Sequence, residues 1–596
     1  MCGINGFSSE DRRLISVMNR TIAHRGPDDT GVLVSNGISL GHTRLSIIDL
    51  SIKGHQPMSY ARKGKIYVIT FNGEIYNYKQ LRKELSSAGH TFRSNSDTEI
   101  IMAAYDAWGS SCVSRFRGIW AFCIHDIVKK ELFFSRDRFG QKPLYYAEVG
   151  GVLYFSSEIK SLMKGPIPKE LDKLALREYF SYRAPFFDRT LFSSVKTLLP
   201  GHNLVYDLKK KKITSYKQYY KLKLRVPPQT FSQAKEQAFS LIENAVKERM
   251  VADVPVATFL SGGLDSSIVT AFAKRENKNL HTFSVGFDTT NELSYASRVA
   301  KYLETEHHEY TLDKDSALSY LDEMMYHMDE PIGADPGFLP IFVLSKKVHA
   351  FNKVILSGDS ADEVFGGYDR YKFVHYGKLL KHVALHPTTH ELVKRLHAMR
   401  GKTTFNAFME ANRVFETKEL NDLGIREAFD RDVWNMALQN DFQRMQYVDV
   451  VQLLPKDLLM KADKMSSAFG LEQRAPFMDY RVVEFGLSLP TRWKLNLLTE
   501  KYILKKTFAN IIPREIIERS KHGFNVPIDY WFTHALGDKL RVLVKKSTHG
   551  LYNKELIYKL LEQIKTAPGG FKARNIIAQK LWTVLVFEMW YEKYVK

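Results

Sequence analysis

The chain has 596 residues, 44% of them hydrophobic and 26% charged, with 86 Lys plus Arg against 66 Asp plus Glu, a net charge of +20. Taken at about 150 residues per domain, that length allows two to four domains with full cores. The three cysteines, Cys2, Cys112 and Cys123, cannot staple so long a chain, and no CxxC pair occurs, which excludes a disulfide-built secreted protein and a thiolate zinc centre. The longest apolar stretches, such as Gly337 to Leu344, are far short of a membrane span. The opening MCGINGFSSEDRR lacks the basic start and apolar core of a secretory signal, so a reducing cytoplasm is the expected setting. The +20 raises nucleic acid or an anionic membrane as a partner, but the excess is spread along the chain. Lys209 to Lys212 reads as a hairpin turn. Lys372 to Lys402 holds seven Lys or Arg, five His and one acid, Glu391, without the interleaved aromatics of a single-strand-binding groove.

Up to about residue 205 the pattern is mixed α+β. Ile66 to Phe71 predicts a strand ending at a turn on Asn72-Gly73. Tyr78, Leu81 and Leu85 recur at helical spacing, and the helix stops before Gly89. Trp120, Phe122 and Ile124 alternate with smaller residues, as in a half-buried strand. Leu132-Phe133-Phe134 and Leu153-Tyr154-Phe155 are further short strands. A boundary falls within 205 to 230, at the Lys run and Pro227-Pro228, giving expected domains of 1–210 and 225–596. Beyond it, Val254 to Leu260, Thr282 to Phe287 and Lys353 to Leu356 read as buried strands, with a helix over Ser266 to Lys274 after the first. Strands alternating with long helices predict a parallel sheet. From about residue 370 onward the chain reads as mostly helical.

Two segments carry chemistry. Removal of Met1 would give Cys2 a free α-amino group, so that one residue supplies both nucleophile and base. A cysteine in second place is by itself ordinary. Here it is followed by HRGPDD (His24 to Asp29), GHTRLSIIDLS (Gly41 to Ser51), FNGEIYNY (Phe71 to Tyr78) and SNSDTE (Ser94 to Glu99). The second segment, Ser261-Gly-Gly-Leu-Asp-Ser-Ser267, follows a buried strand and opens a helix. Its two glycines, its hydroxyls and the helix N-terminus suit a phosphate. Asp265 in this loop, with Asp359, Asp362 and Glu363 past the third strand, adds carboxylates that a hard cation prefers. Open α/β sheets bind ligands at such strand ends.

The first set of motifs resembles the glutaminase domain of class II amidotransferases, which have an N-terminal-nucleophile fold of stacked antiparallel sheets with helices. The resemblance implies Cys2 as nucleophile, Asn72 (side chain) and Gly73 (backbone N–H) as oxyanion hole, Arg44 on the glutamine α-carboxylate, and Glu74 and Asp97 on its α-ammonium. The plain alternatives are a surface cation for Arg44 and a helix cap for Asp97. SGGLDSS matches the PP-loop of ATP pyrophosphatases. That match implies ATP bound by Leu260, Ser261, Gly262, Gly263, Asp265, Ser266, Ser267, Val285, Ser357 and Gly358, with Mg²⁺ on Asp265 and Asp362. The stretch from Leu453 to Phe485 resembles the signature of glutamine-hydrolysing asparagine synthetases, in which Lys464, eight residues before Glu472, would stabilise an acyl-adenylate phosphate. RSKHGFNVPIDYW (Arg519 to Trp531) would lie near pyrophosphate.

The implied activity is a ligase reaction in asparagine biosynthesis. Glutamine is hydrolysed at Cys2, an acceptor carboxylate is adenylated with MgATP, and the ammonia passes through an internal tunnel to form the amide. Well-studied family members carry Glu where this chain has Asp359, the acid associated with deprotonating the amine. The family resemblance makes aspartate the expected acceptor, and the Asp359 departure points to the alternative, a uronic acid of a surface polysaccharide. PP-loops also occur in tRNA-modifying enzymes, but such an enzyme has no use for Cys2, Arg44, Asn72 and Asp97 in a glutaminase arrangement, so nucleic acid is not the expected partner. A homodimer is compatible with this reading.

Overall fold

The structure, a computed structural model, describes residues 1–287, 292–379, 402–426, 440–519, 526–566 and 570–596. The N-terminal part is built on two six-stranded antiparallel sheets. In spatial order the first holds Lys196–Thr197, Tyr145–Val149, Val152–Ser156, Gly3–Phe7, Ile38–Arg44 and Asp29–Ser35. The second holds Lys212–Gln218, His202–Asp207, Glu131–Arg136, Gly118–Asp126, Lys65–Ile75 and Met58–Arg62. Ile4, Leu40, Val68, Cys123, Phe134 and Phe155 fill the space between the sheets. The helices Tyr78–Ser87 and Asp97–Trp108 cover the outer face of the second sheet, and Arg12–Thr21 that of the first. Residues 208–211 form the turn expected at the Lys run.

Two expectations are corrected here. The strand at Trp120 is not half-buried. Ala121 and Cys123 face the other sheet while Trp120, Phe122 and Ile124 face the helices, so its alternation is one of size between two buried sides. Nor is Asn72-Gly73 a turn. The strand Lys65–Ile75 runs through it, with Asn72 opposite Ala121, Gly73 opposite Trp120 and Glu74 opposite Ile119. Gly73 has φ +147°, and a Cβ there would stand 2.0 Å from the Ile119 carbonyl oxygen. Glycine is demanded by that approach rather than by a reversal of the chain. Gly73→Ala is therefore expected to destabilise the protein by about 2 kcal/mol or more. An unchanged thermal midpoint would show that the strand relaxes freely.

The second part contains a five-stranded parallel sheet in the order Glu306–Leu312, His281–Phe287, Val256–Phe259, Val354–Leu356, Glu472–Arg474. In chain order that is 3-2-1-4-5, which puts the switch point between Val256–Phe259 and Val354–Leu356. A ligand crevice is expected just past their C-terminal ends. The helix after the first strand spans Leu264–Glu276. Two of the five strands were not foreseen. EHHEYTL is largely polar, and EQR is a charged triad without a hydrophobic pattern. The remaining described residues are mainly helical and end in the helix Gly570–Tyr594, with Trp582, Phe587 and Trp590 buried. Residues 380–401 of the basic segment and 520–525 of the Arg519 to Trp531 motif lie outside the described residues.

Candidate active site

Cys2 immediately precedes the strand Gly3–Phe7, and its Sγ donates to the Leu45 carbonyl at 3.7 Å. Gly3 pairs with Thr43, and the neighbouring His42 meets the Phe71 carbonyl through Nε2 at 3.0 Å. This carries the Asn72-Gly73-Glu74 end of the second sheet toward the start of the chain. Asn72 is fully buried, yet neither its Nδ2 nor its Oδ1 has a hydrogen-bond partner, and Glu74 Oε2 is equally unpartnered. Both polar atoms of one buried amide lack a partner, next to a carboxylate oxygen in the same state on the same strand, and that pairing suits a place shaped for something polar. Asp97 opens the helix Asp97–Trp108, but Ser96 caps that helix, and Asp97 Oδ2 accepts from Ile75 N at 2.8 Å. The helix-cap alternative for Asp97 thus falls away. Burial pushes Asp97 up to about 6. Burial, then Asp97, raises Glu74. Arg44 is buried rather than a surface cation, and donates to Ser51 O at 2.9 Å and to Asp49 O.

Met1 is fully buried beside Cys2. Its side chain is buried with Sδ against Lys142 Nζ, and burial pushes its α-ammonium down to about 5. Burial also pushes the Cys2 thiol up to about 11, against the pull of that ammonium.

The second site is a cleft of about 620 Å³ at the switch point of the parallel sheet. Leu260, Ser261, Gly263, Asp265, Ser266, Val285, Ser357, Gly358, Asp359 and Asp362 all line it. Ser267 does not; its hydroxyl turns back to Gly263 O at 2.7 Å. Gly262 does not line it either, and backs onto the helix Glu292–Leu303. Asp265 and Asp362 converge on one cation, the Lys501 ammonium, at 2.5 and 2.6 Å. A pair of carboxylates that share one positive charge fits Mg²⁺ as well. Asp359 Oδ2 accepts from Ser357 Oγ at 2.9 Å and Gln473 Nε2 at 2.5 Å, and burial raises its carboxyl.

Lys464 does not line this cleft. Its ammonium is buried against Asp329 at 2.7 Å and lies outside the cleft. The lysine of the helix Leu458–Ser467 that reaches the cleft is Lys461, one turn earlier, paired with Asp335 at 2.5 Å. Beside it stand Asp457 and Arg183, 3.4 Å apart. Arg183 comes from the N-terminal part of the chain, at the end of the helix Lys173–Tyr182. Sequence patterns offered no signal for Arg183, Gln473 or Lys501, because each reaches the cleft from a distant segment.

The two sites share a wall. On the strand Glu472–Arg474, Arg474 contacts Glu472 Oε1 at 2.7 Å and Glu74 Oε1 at 3.5 Å, and Glu472 stands 3.8 Å from Lys142. Gln473 points the other way, to Asp359. Period-two alternation thus puts one strand's side chains on both sites. Around this wall, Arg25 bonds Cys2 O at 3.1 Å, Glu158 at 2.9 Å, Asp463 at 2.9 Å and Ser467 at 3.0 Å. Asp329 accepts from the N–H groups of Ile159 and Lys160 at 2.6 and 2.7 Å, and Glu330 accepts from Leu191 N at 2.8 Å. The Asp329-Glu330 pair, to which the sequence assigns no role, therefore fastens the two parts together.

A cysteine beside buried, unpartnered amide and carboxylate atoms, and a phosphate-type loop facing paired carboxylates, define a two-site amide-transferring enzyme. The comparisons with known proteins make this specific. Residues 1–220 match the glutamine amidotransferase domain model and residues 237–592 the asparagine synthase model. The chain is 34% identical to asparagine synthetase [glutamine-hydrolyzing] 1 of Bacillus subtilis, over 99% of this chain and 96% of that one. It is 30% identical to asparagine synthetase [glutamine-hydrolyzing] 3 of the same organism, over 94% and 93%. Amidase chyE of Penicillium rubens is 28% identical over 92% of each chain. The chain belongs to the asparagine synthase family, as a glutamine-hydrolysing, ATP-dependent carbon–nitrogen ligase. Among the described residues no helix is long and apolar enough to cross a membrane.

Proposed function

We propose that the chain hydrolyses glutamine at Cys2, adenylates the side-chain carboxylate of aspartate at the cleft, and joins the two reactions through ammonia. The observation that carries this reading is the strand Glu472–Arg474, whose alternate side chains border both sites. With Met1 removed, its buried volume beside Cys2 would be vacated, and the Cys2 α-amino group can take the thiol proton. The thiolate attacks the amide carbon, and the oxyanion faces Asn72 Nδ2 and the Gly73 N–H. Ammonia leaves, and water cleaves the thioester to glutamate. Arg44 would hold the α-carboxylate of glutamine, and Glu74 and Asp97 its ammonium. The unpartnered Asn72 and Glu74 atoms support this placement.

At the cleft the acceptor carboxylate attacks the α-phosphorus of ATP and pyrophosphate leaves. Ammonia then attacks the acyl carbon, a proton passes to Asp359, and AMP departs. Ser261, Gly263 and Ser266 would face the phosphates, with Leu260 and Val285 beside the adenine. Asp265 and Asp362 would hold Mg²⁺, which when bound neutralises phosphate charge, and Lys501 is the cation that would give way to it. Asp265→Asn and Asp362→Asn are each expected to lower ATP-dependent pyrophosphate release by about 100-fold. A loss of less than threefold in both variants would remove these residues from the metal site.

Aspartate is favoured over a uronic acid by charges that line the cleft. Lys461 and Arg183 supply two cations, and Asp335 and Asp457 two anions. That pattern suits an acceptor carrying both carboxylate and ammonium, and a uronic acid has no ammonium. Asp359 in place of the Glu of well-studied relatives is the feature that favours the second acceptor. Measuring AMP release with aspartate against a panel of uronic and other carboxylic acids decides between them, and the absence of aspartate-dependent AMP would sink the first. A cytoplasmic setting and a homodimer belong to the same reading.

A further inference from the structure

The parallel sheet carries a second polar cluster, at the opposite end of its strands from the nucleotide cleft. His281 begins the strand His281–Phe287, and Glu306 begins the neighbouring edge strand Glu306–Leu312. The register sets His281 opposite Glu306 and Phe283 opposite His308. Side chains two apart share a face, so both histidines and the glutamate project from the same side. His281 Nδ1 lies 3.0 Å from His308 Nε2 and 3.6 Å from Glu306 Oε1, and His308 Nε2 lies 3.8 Å from that oxygen. We propose that His281, Glu306 and His308 form a site for a divalent transition-metal ion of the zinc type.

The spacing fits that ion. Four-coordinate zinc with bonds of about 2.0–2.1 Å keeps its ligand atoms about 3.3–3.4 Å apart, so the three observed separations bracket the required one. Two imidazoles and one carboxylate are a zinc donor set with the fourth position open to water, whereas Mg²⁺ prefers oxygen alone. The two rings now face each other through one shared N–H. A metal replaces that bond once the proton moves to the outer nitrogen of its own ring and both rings turn toward the ion. His308 is braced against Phe283 and Phe351, with ring centroids 4.7 and 5.4 Å away, while the side chains of His281, His308 and Glu306 keep 32%, 24% and 62% of their exposure. An ion can therefore reach a partly built site. Phe283, the brace of His308, also lines the cleft and lies two residues along the same strand, about 7 Å away, while Val285 lies four residues along, about 13 Å away. A bound ion would clip the edge strand to its neighbour without touching ATP.

The test uses the full chain carrying Cys2→Ala, so that no accessible thiolate competes, treated with chelator and titrated with Zn²⁺ and Co²⁺ at neutral pH in excess Mg²⁺. One ion per chain is expected, with the visible absorption of four-coordinate Co²⁺ and a rise in Tm on adding Zn²⁺. His281→Ala and His308→Ala should abolish binding, and Glu306→Gln should weaken it by about tenfold or more. His281→Gln replaces the alanine variant if that one melts early without metal. Absence of binding to the parent chain, or binding that survives in the histidine variants, overturns the proposal.

Discussion

Replacing Cys2 by Ala is expected to abolish glutamine-dependent amide formation, by about a thousandfold or more, while synthesis from free ammonium salts continues at close to the parent rate. The reasoning is geometric. The Sγ atom makes one weak contact, to the Leu45 carbonyl at 3.7 Å, so its removal costs the fold little. The cleft draws none of its lining from residues 1–181. Adenylation and the attack of ammonia therefore need nothing from the thiol. Glutamate release, AMP release and amide yield, measured with glutamine and then with ammonium, separate the two reactions. If the folded variant loses both, the two-site division is wrong.

Removing Arg25 has the largest expected effect on stability. Arg25 is fully buried, and one guanidinium nitrogen serves Glu158, Asp463 and Ser467, while its Nε holds the Cys2 carbonyl. Arg25→Met would leave two buried carboxylates short of a partner, a change expected to cost about 3–5 kcal/mol. Adding Glu158→Gln and Asp463→Asn should recover part of that loss, because the penalty lies in the stranded charges. Denaturant unfolding of the three proteins measures it. A single variant within about 1 kcal/mol of the parent would mean that the site rehydrates. Since Arg25 also holds the backbone of Cys2, the amide formed per glutamine hydrolysed should fall in the same variant.

What could be read without coordinates followed the local character of each motif. Cys2, Asn72, Gly73, Glu74 and the SGGLDSS loop lie in contiguous motifs, and it is the resemblance of those motifs to a known family that implies their roles. Lys464 and Lys461 show the limit. They sit three residues apart on one helix, both are buried, and only the packing of that helix decides which one reaches the cleft. Gln473 lay in a charged triad with no strand signature, and Arg183 crosses from the other part of the chain. Asn72-Gly73 carried a strong turn signal that a long-range constraint overrode, namely the Ile119 carbonyl pressed against Gly73.

The partition between the two sites is a strand of three residues, and that makes the protein sensitive to strand register at this point. One residue inserted or deleted just before Glu472 would reverse every side chain on the strand. Arg474 would turn from Glu74 toward Asp359, and Gln473 toward the start of the chain. A single-residue length change there should extinguish two chemically unrelated activities at once, whereas length changes in the Lys209 to Lys212 turn meet no such constraint.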